Sequence, residues 1–357
     1  MTINEDILDR TISHMVWTER YKTSEAKKII KLLNKADDDL VAQIAARMVK
    51  IEQRGYDLGV KTTERLESLL KLIRDQRQEI AESLYISSRD ELFDFVVYEA
   101  DFESRLITSA VADVGVDIAM VQPAASQLKA AVTKKPFQGR LLREWYRDLG
   151  ANSAKRVSDA LKIGIIEGQT TDQIVRRIKG TRSRQYRDGI LEIDRRHAET
   201  ITRTAINHVT ARAKDDLYEE NADIIDGVKF NATLDSRTTP ICRSLDGKVY
   251  KLDAKRPVLP LHFGERSQYV PYLGPSKIKG LRASATGPVP DDLSYGDWLR
   301  KQSKATQEDV LGVKKAKLFR EGNLSIDKFT ARDGSELTLA ELKQRDTALW
   351  NKVFKED

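Results

Sequence analysis

The chain holds a single cysteine among 357 residues, so an internal disulfide framework is excluded and a reducing compartment is implied. It contains no run of about 18 apolar residues, which argues against a transmembrane helix. Its first stretch, MTINEDILDRTISHMVWTER, puts acids where a secretory leader needs a basic region followed by an apolar core. Together these absences lead us to expect a protein that stays in the cytoplasm or in a particle assembled there. Glycine-rich phosphate loops of GxGxxG or Walker form are missing, as are internal repeats and low-complexity tracts. No serine or cysteine sits at a recognisable nucleophile turn.

What remains is a charged, soluble composition, 40% hydrophobic and 32% charged, long enough to bury a core and to form about two domains. The net charge of +6 is spread thinly over 61 basic and 55 acidic residues, so clustering matters more than the total. One cluster is plain: RRIKGTRSRQYR carries Arg176, Arg177, Lys179, Arg182, Arg184 and Arg187 around a single Tyr186. Arginines on a Gly/Ser/Thr backbone can fork onto phosphate oxygens without reading bases. The same run also suits a solvated helix end or an interface to an acidic protein, and charge runs are usually solvated faces.

Periodicity predicts helices from the N-terminus to about Gly168. Leu66, Leu69, Leu70, Ile73, Ile80 and Leu84 form one apolar stripe at three- and four-residue steps. Ser88 and Glu91 have capping-box spacing and predict a new helix start there, ending before Pro123. Another helix is expected after Pro136, with Leu141, Leu142, Trp145 and Leu149 inward and Gly150 as its stop. Two short helices split at Gly168 should follow, with Thr170 or Thr171 capping the second. Nothing in this helical array suggests a pocket. A long helix around Ala198, Ile201, Ala205, Val209 and Leu217 is rich in small residues that allow close approach. The period then changes to two: GVKFNATL and GKVYKL predict a β-hairpin around the turn LDSRTTPICRSLDG. Pro257, Pro260, Pro271, Pro275, Pro288 and Pro290 mark an extended stretch expected to be poor in regular structure, before a helical tail with a capping box at Thr338 and Glu341.

The turn reads as half of a zinc knuckle. Thr239 and Cys242 occupy the CxxC positions, and His262 and Glu265 the positions of a second pair. A threonine hydroxyl is a poor zinc ligand and one thiolate makes a weak structural site. We therefore expect no bound metal and no cofactor, with Cys242 packed as a small hydrophobe and the turn held by Thr238, Thr239 and Asp235. Cys242 and His262 could meet as thiol and base, but a pair without an orienting partner is a weak catalytic signal.

Taken in order, HAETITRTAINHVTARAKDDLYEE, GVKFNATLDSRTTPICRSLDGKVY and RPVLPLHFGERSQYVP resemble the minor head protein family of tailed phages related to phage Mu protein F. The family pattern runs through an Arg-Thr pair (Arg203, Thr204), an aspartate, an Arg-Thr-Cys-Pro-x-Cys turn, a Leu-Asp-Gly-Lys-Val strand start and a Pro-x-His-x-x-Cys-Arg segment. Asp235, Arg237, Thr238, Pro240, Cys242, Leu245, Asp246, Gly247, His262 and Arg266 fall on it, while Thr239 and Glu265 replace two of its cysteines. The periodicities predict a mostly α chain with a small α+β domain: an N-terminal helical arm or bundle over 1–135, an α+β domain over 136–275 that the resemblance marks as Mu F-like, and a proline-rich linker with a helical extension over 276–357. The resemblance implies a non-enzymatic virion component in the capsid interior near the portal vertex, present in the host cytoplasm during assembly. Its implied partners are the portal protein, the scaffolding or major capsid protein, and packaged double-stranded DNA, with which it would be ejected. Two other readings stand beside this one. A nonspecific DNA-binding protein would use the arginine run, and a nuclease or toxin-like enzyme would centre on Cys242 and His262.

Overall fold

The computed structural model describes residues 3–53, 60–112, 117–272, 281–285, 287–290 and 292–354. The chain is mostly α with a small antiparallel sheet. Two long helices, α1 (Ile3–Glu52) and α2 (Val60–Ala112), run side by side for about 75 Å. Their antiparallel register is set by polar rungs: Arg47 on Ser68, Asp37 on Arg77, Lys28 on Glu91 and His14 on Glu99. Next come α3 (Ala125–Thr133), α4 (Leu142–Ile166), α5 (Thr171–Lys179) and α6 (Leu191–Glu220).

The start expected at Ser88 is absent, because α2 passes straight through it. Its buried stripe continues at helical spacing from Ile73 through Arg77, Ala81, Leu84, Ser88 and Leu92 to Phe95 and Val96. Polar members of the stripe find partners across the interface. The Ser88 hydroxyl lies 2.6 Å from that of Tyr146, and the buried Arg77 guanidinium donates to Asp37 at 2.5 Å. Gly150 likewise does not stop a helix: α4 runs on to Ile166. A Cβ at Gly150 would lie 2.6 Å from the Arg77 carbonyl oxygen and 2.7 Å from Ala81 Cβ, so the glycine permits a close helix crossing. The expected split at Gly168 is present, and Thr170 caps α5 by accepting the Gln173 N–H.

Helices α1, α2, α3, α4 and α6 share one core, in which Ile29, Leu33, Leu84 and Phe95 meet Tyr146, Ala198 and Ala205. A second core at the other end of the rod joins α1 and α2 to α4 and α5 through Ile44, Met48, Leu69, Val157, Leu161 and Ile174. No break in packing falls at 135/136; the boundary expected at 275/276 lies outside the described residues.

The strands β1 (Gly227–Asn231), β2 (Val249–Lys251) and β3 (Gln268–Tyr272) form an antiparallel sheet in the order β2-β1-β3. The predicted hairpin is therefore present, with Val228 facing Tyr250. Its connection is not a bare turn but carries a short helix, α7 (Pro240–Leu245). The proline-marked stretch holds more structure than expected, namely β3 and a second hairpin of β4 (Leu281–Ser284) and β5 (Gly287–Pro290). Pro271 is tolerated because β3 is an edge strand and needs no outward N–H; Pro275 lies outside the described residues. The tail folds as α8 (Tyr295–Arg300), α9 (Lys304–Leu311), α10 (Val313–Glu321), α11 (Leu339–Arg345) and α12 (Thr347–Phe354) around Trp298, Phe319 and Trp350. Thr338 and Glu341 form the expected capping box.

Candidate functional site

Two sequence features carried the functional expectations, the knuckle and the arginine run, and the structure keeps them apart. The arginine run ends just before α6, whereas Thr204 of α6 accepts the Gly264 N–H at 3.3 Å; the two regions thus lie ~20 Å apart along the helix axis.

The knuckle is built around α7. Thr239 precedes the helix in extended conformation and Pro240 takes its first turn, where a missing N–H costs nothing. The Thr239 hydroxyl makes no cap bond; it lies 3.0 Å from His262 Nε2. Cys242 Sγ, on the first turn of α7, lies 3.4 Å from the same Nε2 and 3.2 Å from Glu265 Oε1. On the opposite side, the loop before β3 is folded on itself. The second carboxylate oxygen of Glu265 accepts the Leu261 N–H, and His262 Nδ1 lies 3.0 Å from the Phe263 carbonyl oxygen. Asn207 of α6 donates to the Glu265 carbonyl. The three ligand-type residues Cys242, His262 and Glu265 thus present atoms within 4.8 Å of one another, with the thiol and carboxyl buried and the imidazole half-buried.

Burial, reinforced by the Glu265 charge, pushes the Cys242 thiol up to about 12. Burial also raises the Glu265 carboxyl above its usual range. A thiol held protonated at neutral pH is a poor nucleophile.

Around this cluster the motif residues act as pins. Asp235 takes a two-pronged bond from Arg266, at 2.5 and 2.8 Å, and accepts from the Thr238 hydroxyl and the Arg237 N–H. Burial opposes ionisation of Asp235, but these bonds outweigh it and hold the carboxyl below its usual range. Arg237 itself is exposed. Asp246 accepts the Ala232 N–H at 3.0 Å and the Tyr295 N–H at 2.7 Å, tying the end of β1 to the start of α8. Gly247 donates to the Phe230 carbonyl, and Lys248 to that of Leu245, so the Leu-Asp-Gly-Lys run closes the hairpin. Sequence reasoning missed Arg243, which is buried and donates to the carbonyls of Thr238 and Val310 at 2.6 and 2.9 Å. It also missed Tyr295, whose hydroxyl reaches the Asp235 carbonyl. Only the rule that a buried arginine must find carbonyls could have pointed to Arg243, and burial is not written in local sequence.

Residues 155–262 match the family model described as phage Mu protein F like protein. This segment is a phage Mu protein F-like domain. The match is confined to this segment and covers less than a third of the chain. The matched span of the Mu F-like domain runs from α4 to His262 and includes α7 and the motif turn, whereas Glu265 and Arg266 lie just beyond it. Among curated proteins and solved structures, none matches the chain.

Within the Mu F-like domain the arginine run forms the end of α5, a 3-10 turn over Arg182–Arg184 and a loop with Gln185 and Tyr186 at positive φ. Asp188 holds the loop by accepting both the N–H and the hydroxyl of Thr181 at 2.8 Å. Arg177 pairs with Glu167, and Lys179 pairs with Asp38 of α1. Arg176, Arg182, Arg184 and Arg187 stand exposed. A cleft of about 710 Å³, which the sequence did not suggest, opens between α1, α6 and β3. Its buried cations are neutralised in place, Lys22 by Glu19 at 2.7 Å and Lys214 by Glu103 at 3.1 Å.

Proposed function

We propose that this chain is a structural and assembly component of a phage head, not an enzyme, and that its long helical pair docks onto the portal from the capsid interior. The family match over 155–262 carries the reading. A rigid rod about 75 Å long suits contact with a helical oligomer, and the rod exposes large apolar side chains where α1 meets α2. Val16, Trp17 and Tyr98 are 45, 39 and 39% exposed, and Trp17 and Tyr98 pack with ring centroids 4.9 Å apart. Exposed aromatic clusters on otherwise charged surfaces mark protein contacts. Scaffolding and major capsid proteins are further partners during procapsid assembly.

The test is to mix the chain with the portal protein of the same phage and examine the mixture by size-exclusion chromatography and electron microscopy. Co-elution is expected for the native chain, and loss of it for the Trp17→Glu, Tyr98→Glu double variant with an unchanged circular dichroism spectrum. Failure of the native chain to bind assembled portal sinks the docking assignment.

A second role, nonspecific contact with packaged DNA, is favoured by the four exposed guanidiniums at the end of α5 and on the Asp188-held loop. Four phosphate contacts give a log–log salt slope of about −3.6. Replacing Arg176, Arg182, Arg184 and Arg187 by alanine should flatten it toward zero in a filter-binding series; an unchanged slope removes the loop from the role.

A further inference from the structure

We propose that Cys242, His262 and Glu265 bind one zinc ion, with the Thr239 hydroxyl at the fourth corner, as a structural clamp between α7 and the loop preceding β3. The expectation of no metal rested on the types of residue at the four knuckle positions. The proposal rests on their directions, and it is independent of the portal and DNA readings.

The spacing fits first. Zinc–sulfur, zinc–nitrogen and zinc–oxygen bonds of about 2.3, 2.0 and 2.0 Å at tetrahedral angles separate sulfur from nitrogen or oxygen by about 3.5 Å, and nitrogen from oxygen by about 3.3 Å. Cys242 Sγ to His262 Nε2 is 3.4 Å, Cys242 Sγ to Glu265 Oε1 is 3.2 Å, and Thr239 Oγ1 to His262 Nε2 is 3.0 Å. Small outward shifts reach the coordinated distances with no backbone rearrangement.

Orientation fits next. His262 Nδ1–H donates to the Phe263 carbonyl, which fixes the tautomer and turns the Nε2 lone pair inward. Glu265 spends its outer oxygen on the Leu261 N–H and turns the inner one to Cys242. His262 and Glu265 thus each have the outer atom engaged and the inner atom within hydrogen-bond reach of Cys242 Sγ.

Hydrogen bonds hold the cluster together, and they converge on shared atoms. The single lone pair of Nε2 is approached by two donors, the Thr239 hydroxyl and the Cys242 thiol. The single thiol proton faces two acceptors, Nε2 and Glu265 Oε1. A divalent cation among Cys242 Sγ, His262 Nε2 and Glu265 Oε1 serves all three atoms at once, with the Thr239 hydroxyl beside Nε2 to complete the set. Thiolate and carboxylate then neutralise its charge, which suits a buried site. Binding would release the thiol proton, and the carboxyl proton where present, to solvent. Soft sulfur with imidazole selects zinc over the magnesium and calcium that prefer all-oxygen sites.

The experiment loads the full chain with zinc, dialyses it, and measures metal per chain by plasma mass spectrometry. Parallel samples loaded with cobalt are read by visible absorption. Expected are one zinc per chain, together with thiolate-to-cobalt charge-transfer and tetrahedral ligand-field bands that vanish in Cys242→Ser and His262→Ala. Because these variants could misfold, Thr239→Cys provides a gain-of-binding arm. It completes the CxxC pair and should retain zinc at a chelator concentration that strips the native chain. A native chain that emerges metal-free and without cobalt bands overturns the proposal, as does zinc held equally by the native chain and a folded His262→Ala variant.

Discussion

His208 lies on α6, 2% exposed, with Nε2 3.2 Å from the Ala131 carbonyl. Burial, helped by the nearby Arg212, lowers its pKa from the usual 6.5 to about 4. The folded chain therefore keeps the imidazole neutral where the unfolded chain takes up a proton. Stability from this residue is full above pH 6.5, falls as pH drops toward 4, and levels off below, a loss of about 3 kcal/mol. In urea titrations across this window, His208→Gln should flatten the pH dependence of the native chain; a parallel curve assigns the pH response to other groups. At this scale the sequence spoke clearly where a residue's job is local. Pro240 opens α7, and Asp235 accepts the N–H of Arg237 two residues on, as helix-start and turn chemistry requires. Arg243 and Tyr295 were silent because the carbonyls of Val310 and Asp235 that they reach lie 67 and 60 residues away.

Gly150 shows how an element can be misjudged by its punctuation. In an open helix, glycine to alanine gains about 1 kcal/mol. Here the added Cβ would sit 2.6 Å from a backbone oxygen of α2, and backbone cannot step aside as a side-chain tip can. Gly150→Ala should instead destabilise by about 2 kcal/mol, as overpacking does; a raised midpoint in thermal or urea melts would show that the crossing has slack. The same lesson applies to Ser88. Capping-box spacing is only a local preference, and the stripe from Ile73 to Val96 overrides it by packing. Apolar periodicity, by contrast, marked the N-terminal part as helical and placed the hairpin, because periods of 3.6 and 2 are what burial on one face demands. The strand β3 was missed because Pro271 signals interruption, and nothing local says that its strand will lie at an edge.

At the scale of the molecule, the helical rod is not an appendage. Ile29, Leu33, Ile44 and Leu69 of α1 and α2 share cores with Tyr146, Val157, Ala198 and Ala205 of α4 and α6. Deleting residues before Pro136 would strip those faces bare. The remaining chain should lose its near-ultraviolet circular dichroism and bind a hydrophobic dye, as states with lost packing do. A cooperative, dye-free fragment would show that the Mu F-like domain stands without the rod. Neither core could be assembled from the sequence, because amphipathic stripes show which face is buried and not against what.

The rungs between α1 and α6 have a consequence in time. Arg195 bonds Asn34 and Arg203 bonds Thr23, across 161 and 180 residues of chain. On a ribosome the first two helices emerge long before their partner. Until α6 clears the exit tunnel their apolar faces must rest on each other, on a chaperone, or on another nascent copy. Docking of the first two helices onto α6 is therefore late relative to their own synthesis.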